Sequence, residues 1–323
     1  MFVVHKPWSH VAKMAKSRKP RWTGDRKKLA AISLRQQRKT AKLIVAGVKK
    51  IRDSLPSTIQ IGLDLEEGYP TFINRMRLAG GNHEKFDEAG ESLWETLILS
   101  SGVAIDNLPD GIKSRYRFDY SNPRIERVWR KRAGEKIVEP ILQGTRDSIQ
   151  NAIHNQFIKG LSPRDIAEDI KGYVGLYPRL ATALKNYKVG LAEKGLPIEN
   201  QVKYALAYED KLLDYRAMSI ARTETNFMIN RGQLEVWRQG QDNGIIPKGA
   251  TKVWEVDGNP CPDCDDMDGE AVGLNDVWVM GDGTICEVPQ DSHPQCECTM
   301  SIEYGDIETA DFGEEEDGEE QGE

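Results

Sequence analysis

Residues 197–240, PIENQVKYALAYEDKLLDYRAMSIARTETNFMINRGQLEVWRQG, decide the fold class. Val202, Leu206, Leu213, Ile220, Phe227 and Leu234 recur roughly every seven residues, and no proline follows Pro197 before the stretch ends. Seven residues are about two helical turns, so these side chains return to one side of a helix. The stretch therefore reads as one or two long helices. Gly232 inside it costs about 1 kcal/mol relative to Ala, and that cost points to close packing at this position.

Working upstream, the pattern stays helical. A long basic helix is expected from about Asp25, as its N-cap, to Leu55, with Pro56 as the stop. Ile44, Val48, Ile51 and Leu55 give it one apolar stripe. Helical patterns return at about 85–104 and 124–158, ending at Gly160. Ser162-Pro163-Arg164-Asp165 has the N-cap, the first-turn proline and the first-turn acid of a helix start. That helix runs to about Val174, and another runs from Pro178 to Gly195. Residues 56–84 are ambiguous.

Downstream of Gly244 the character changes. Thr251–Val256 alternates like a strand, and Asp257-Gly258 is a turn signal. Val277–Met280 and Thr284–Val288 read as strands flanking Gly281-Asp282-Gly283. The expected class is α+β: a mainly α-helical body with a small C-terminal β-rich zinc-binding module and a disordered acidic tail. The chain divides into a basic arm and amphipathic helix (1–55), a helical body (56–245), a zinc-knuckle β module (246–302) and an acidic tail (303–323).

The net charge of −7 over 323 residues conceals a polarised chain. Residues 1–53 carry 16 Lys and Arg against two acids, whereas residues 255–323 carry 23 acids and no Lys or Arg. No stretch reaches 18 apolar residues, so no transmembrane helix is expected, and the basic start lacks the apolar core of a secretory signal. The cations with Trp8 and Trp22 interleaved suit phosphate contact and base stacking. The contact candidates are Lys13, Lys16, Arg18, Lys19, Arg21, Trp22, Arg26, Lys27 and Lys28. Such DNA binding would be non-specific; the alternatives are an acidic partner surface and, last, a membrane surface met by the 44–55 stripe.

All five cysteines lie between 261 and 298. An odd count clustered at one end argues for a metal site rather than a disulfide framework. Cys261-Pro-Asp-Cys264 is a knuckle that turns two sulfurs toward one ion, and His293-Pro-Gln-Cys296-Glu-Cys298 supplies the rest. The expected structural zinc ligands are Cys261, Cys264, His293 and Cys296, with Cys298 competing for the fourth position and Cys286 a spare buried thiol. Four protein ligands leave no open position for water activation, so no catalytic residue is assigned. Asp263, Asp265, Asp266 and Asp268 have the wrong register for a calcium loop, since Asn275 stands where Glu is needed; they read as a solvated acidic loop.

Arg222, Thr223 and Glu224, followed by Asn226, Asn230 and Gln233, form a polar constellation on the long helix. Arg222, Asn226, Asn230 and Gln233 share one face. That face is either solvated or bonded to the loops of the cysteine module.

Together these residues resemble a known family. They are Gly160-Leu161-Ser162-Pro163-Arg164-Asp165, Ala221-Arg222-Thr223-Glu224-Thr225, Asn230-Arg231-Gly232-Gln233, Trp254 before the first knuckle, Asp268-Gly269, and His293 to Cys298. In order and spacing they are similar to the phage Mu F-like head morphogenesis family, minor capsid proteins of tailed phages, over about residues 135–300. The resemblance implies a virion component of the capsid interior, made in the host cytoplasm. It implies as partners the portal protein, major capsid or scaffold proteins, and phage DNA. The alternative is a metal-dependent nuclease or other enzyme packaged in the virion. Glu297 departs from the family's usual Arg, and Met228 from a usual small residue.

Overall fold

The computed structural model describes residues 23–55, 84–138, most of 140–151, and 172–304 apart from 257 and 259. Among the described residues, five helices of ten or more residues carry the body: α1 (Thr23–Ser54), α2 (Glu84–Asp106), α3 (Pro123–Arg132), α4 (Pro178–Glu193) and α5 (Ile198–Asp242). Asn122 caps α3 by accepting from the Arg124 amide, and Pro123 occupies its first turn. The expected helix over 124–158 is interrupted by a π-helical turn at Ala133–Val138. The Ser162 helix start and residues 56–83 lie outside the described residues.

Helices α1, α2 and α5 pack against one another. The α1 stripe Ile44, Val48, Ile51 and Leu55 is buried, as are Phe86, Leu93 and Leu97 of α2. Each such side chain contributes about 1.5–3 kcal/mol when removed from water. The stripe belongs to the core and presents nothing to a membrane, and no helix among the described residues is long and apolar enough to span one. The basic helix is thus packed into the helical body.

Gly232 is where α5 meets α2. A Cβ there would lie 2.2 Å from Ser100 Oγ and 2.7 Å from the Leu97 carbonyl. Ser100 and Ser101 bury their hydroxyls at this crossing by donating to Leu97 O at 2.9 and 2.8 Å. Small residues on both helices let the backbones approach.

The sevenfold apolar spacing on α5 divides along the helix. Leu213, Phe227 and Leu234 are buried, but Val202 and Leu206 are 51% and 57% exposed. In the first half of α5, Tyr208 stacks against Tyr187 of α4 (ring centroids 4.3 Å apart) and Glu209 and Asp210 pair with Arg52 and Lys49 of α1, whereas residues 224–240 are all buried. Periodicity alone cannot tell a ridge facing a partner helix from one facing water.

Beyond α5, β1 (Thr251–Glu255) pairs antiparallel with β2 (Ala271–Gly273) on one side; β3 (Trp278–Val279) and β4 (Ile285–Cys286) form a separate ribbon; β5 (Thr299–Glu303) closes the other side of β1. Gly283 takes φ +87° in the β3–β4 turn, a conformation only glycine adopts freely. The strands expected at 277–280 and 284–288 shorten to two residues each. Trp254 and Trp278 meet edge to face at 5.3 Å, and the module's core runs without a break into the helical core. Residue 303, assigned in sequence to the tail, ends β5; residues 305–323 lie outside the described residues.

Candidate metal centre

Cys261 precedes the single helical turn Pro262–Asp265, and its sulfur accepts from the Cys264 amide at 3.4 Å. That turn brings the two sulfurs to the same side. His293 Nε2 then sits 3.2 Å from both Cys261 Sγ and Cys264 Sγ. Its Nδ1 lies 2.9 Å from Pro294 O. A proton on Nδ1 bonded to that carbonyl leaves the Nε2 lone pair facing the sulfurs, the orientation that a metal ligand requires.

The second knuckle supplies the other donors. Cys264 Sγ and Cys296 Sγ are 3.9 Å apart, close to the ~3.8 Å edge of a tetrahedron with metal–sulfur bonds of ~2.3 Å. Among the described residues, Cys261, Cys264 and His293 form one group able to hold a metal ion, and Cys264, Cys296 and Cys298 form another. Cys264 belongs to both, so the expected ligands fall into two adjoining groups that share one sulfur. Gln295, between His293 and Cys296, takes φ +64°, and its amide donates to Thr223 Oγ1 at 2.9 Å. Helix α5 therefore supports the turn that presents the second knuckle.

Cys286 stands outside both groups; burial, with the nearby Asp291 and Asp282 carboxylates, pushes its thiol up to about 11. Asp263, Asp265, Asp266 and Asp268 are exposed.

The polar face of α5 grips the second knuckle. Asn226 donates to Cys296 O at 3.1 Å, and Asn230 donates to Cys298 O at 3.0 Å and to Gln290 Oε1 at 2.6 Å. Gln290 in turn donates to Cys298 O at 2.7 Å. Asn230 Oδ1 accepts from Thr299 Oγ1 at 3.0 Å and from Gln233 at 3.3 Å. The loop before β5 has no ladder partners for these buried carbonyls, and side-chain amides satisfy them instead. Of the two readings of this face, the solvated one fails. Asn226 also accepts from Ser33 of α1 at 2.6 Å, which links a third element to the centre. Arg222 lies at the rim, 3.3 Å from Glu297, which gives it a carboxylate partner.

A second polar layer was hidden in the sequence. Glu287 accepts from Arg238 and pairs with Arg231, both at 2.5 Å. Burial pushes the Glu287 carboxyl up, but the two guanidiniums outweigh it and hold the group at about 2. Lys252, fully buried, donates to Glu287 O at 2.8 Å and lies over the Trp278 ring. Arg132 of α3 bridges Glu224 of α5, at 3.5 Å, and Asp291 of the module, at 2.8 Å, and stacks on Phe227. Glu224 is buried and desolvation pushes its carboxyl up to about 7, despite the neighbouring Arg132.

Of the basic candidates, Lys13, Lys16, Arg18, Lys19, Arg21 and Trp22 lie outside the described residues. Arg26 is engaged by the module, donating to Val256 O at 3.1 Å and pairing with Glu255 at 3.6 Å. Lys27 and Lys28 are exposed. Lys28, Arg35, Lys42 and Lys49, seven residues apart, form an exposed cationic stripe along folded α1, a spacing readable in the sequence once its helix is granted. No protein-family model, curated protein or solved structure matches the chain.

Proposed function

We propose that the chain is a zinc-stapled structural protein of the phage Mu F-like head morphogenesis type. In this reading it is a minor capsid protein that docks on the portal and procapsid interior and touches packaged DNA through its basic N-terminus. One observation carries the reading: the long helix bonds to the second knuckle, with the Asn230 amide donating to Cys298 O and Thr223 Oγ1 accepting from the Gln295 amide. Residues that carry the resemblance, dispersed over some seventy positions, are thereby bonded to one another as a single unit. A motif whose members bond to each other serves a fold that presents surfaces.

Zinc is the metal this donor set favours, since thiolates and one imidazole in near-tetrahedral spacing suit it. Cys261, Cys264, His293 and Cys296 are its ligands in this reading, and Cys298 is the alternative to Cys296. A closed set of four binds without activating water. The DNA contact rests on charge: the exposed α1 stripe adds to the cations of residues 1–22.

The test is to mix the purified zinc-loaded chain with the portal protein of its phage and image the mixture by electron cryomicroscopy. Added density on the portal ring is expected; no co-migration and no density would overturn the proposal. Plasmid cutting in the presence of a divalent metal, lost in Glu224→Ala, would instead favour the packaged-nuclease alternative.

A further inference from the structure

Strand β3, the turn that follows it and the acidic loop line a cleft of about 370 Å³. Its apolar surface comes from Met267, Val272, Val277, Trp278, Val279 and Met280, and Asp263, Asp266, Glu270 and Asp282 also line it. Among the described residues, none that lines it is basic. Val277 and Val279 are 42% and 63% exposed, and Ile285, the cross-strand partner of Val279, is 65% exposed. An apolar strip with an acidic border is complementary to a segment in which cations alternate with aromatic and β-branched residues.

We infer that this cleft binds residues 1–22 of the same chain. That segment, MFVVHKPWSHVAKMAKSRKPRW, has six Lys and Arg, no acid, and Phe2, Val3, Val4, Trp8 and Trp22 as apolar anchors. It has the composition that the cleft lacks. The chain's path supports the choice of occupant. Helix α1 begins at Thr23, and Arg26 in its first turn is fixed to Val256 O and Glu255 at the end of β1. The Val256 amide donates to Asp268 Oδ1 at 3.3 Å, and the Trp254 amide donates to Glu270 O at 2.9 Å. The basic segment is therefore rooted beside the acidic loop. Twenty-two residues span up to ~70 Å when extended, and a short tether holds its end near a neighbouring site at roughly millimolar effective concentration.

Docking would occupy the cations proposed above for DNA. The inference deepens that reading by adding a competitor, so DNA must displace the module to engage the segment. Its test contains no DNA, and the two ideas can fail separately. Trypsin cleavage after Lys13, Lys16, Arg18 and Arg21 is followed in the full zinc-loaded chain at low salt. Two variants are compared with it: Asp266→Asn with Glu270→Gln, which removes border charge, and Val279→Ser, at an exposed apolar site. Unchanged zinc content and thermal melting show that each is folded. Cleavage about tenfold faster in both variants, and in the parent at high salt, is expected for a site whose local concentration protects the segment. Equal rates in all three chains would overturn the inference. Protection that grows with chain concentration would overturn the assignment to the chain's own segment, in favour of a second copy.

Discussion

Asn230 makes four hydrogen bonds, two as donor to Cys298 O and Gln290 and two as acceptor from Thr299 and Gln233. Asn230→Leu would leave several of these groups buried and under-satisfied, and a loss of about 2–3 kcal/mol in urea unfolding is expected. Glu224 gives a prediction with the opposite sign. Its folded-state carboxyl is raised to about 7 from an ordinary 4.5, with desolvation the main cause. The fold thus favours the protonated form: its contribution is complete below pH 4.5 and is lost as pH rises through 7. Glu224→Gln fixes the neutral form, and Arg132 keeps Asp291 as a partner. The variant should therefore be more stable than the parent at pH 8, by up to ~3 kcal/mol, with the difference closing toward pH 4.5. A constant difference across that range in urea titrations would count against the raised carboxyl. The cysteines and Gly232 were legible because each is a local oddity with a physical cost or a chelating spacing. Gln290, Glu287 and Lys252 were not. Lys252 sits in an alternating strand and reads as solvent-facing, and only the return of the chain 35 residues later supplies the Glu287 carbonyl that receives it.

At the scale of elements, the candidate metal centre spans two segments that helix α5 also grips through Asn226, Asn230 and Thr223. The first knuckle follows β1 and the second precedes β5, so an ion held across them would brace the connections at both ends of the three-stranded sheet. The strands are two to five residues long, too short to supply much stability by themselves. Cys264→Ser removes the sulfur shared by both donor groups. It should abolish stoichiometric zinc, measured by atomic emission, and collapse the near-ultraviolet signal of Trp254 and Trp278 while much of the helical signal remains. Cys286→Ser should retain one zinc per chain, because that thiol lies in neither group. Zinc loss in Cys286→Ser would mean that the ligand set is misassigned. The helices themselves were legible from apolar spacing and from Pro and Gly stops. The π-helical turn after α3, which packs against α2 and α3, was not: no residue in Ala133–Val138 marks it in the sequence. Nor could spacing reveal that the first half of α5 exposes Val202 and Leu206, since burial depends on what lies opposite.

The whole molecule separates its charge, with cations on α1 and upstream of it, and acids on the module and beyond. This polarity sets the form of any DNA contact and the way to test it. Deleting residues 1–53 would remove Ile44, Val48 and Ile51 from the core, so loss of binding in that truncation could be plain unfolding. Starting the chain at Thr23 leaves the core intact and removes six cations. Each phosphate contact adds about 0.9 to the slope of log affinity against log salt on duplex DNA, so that truncation should flatten the slope by at most ~5. The stripe on folded α1 then makes a separable contribution. Lys28, Arg35 and Lys42 are exposed, whereas Lys49 pairs with Asp210 at 3.0 Å. Replacing the first three with Gln should flatten the remaining slope by up to ~3, with no change in thermal melting because none of them is buried. Fluorescence anisotropy with a duplex of arbitrary sequence over a range of salt reads both effects. If the truncation leaves the slope unchanged while the triple Gln variant flattens it, the folded helix is the contact and the upstream segment is not. If neither alters it, the positive end serves another acidic surface, and the cleft on the chain's own module becomes its principal partner.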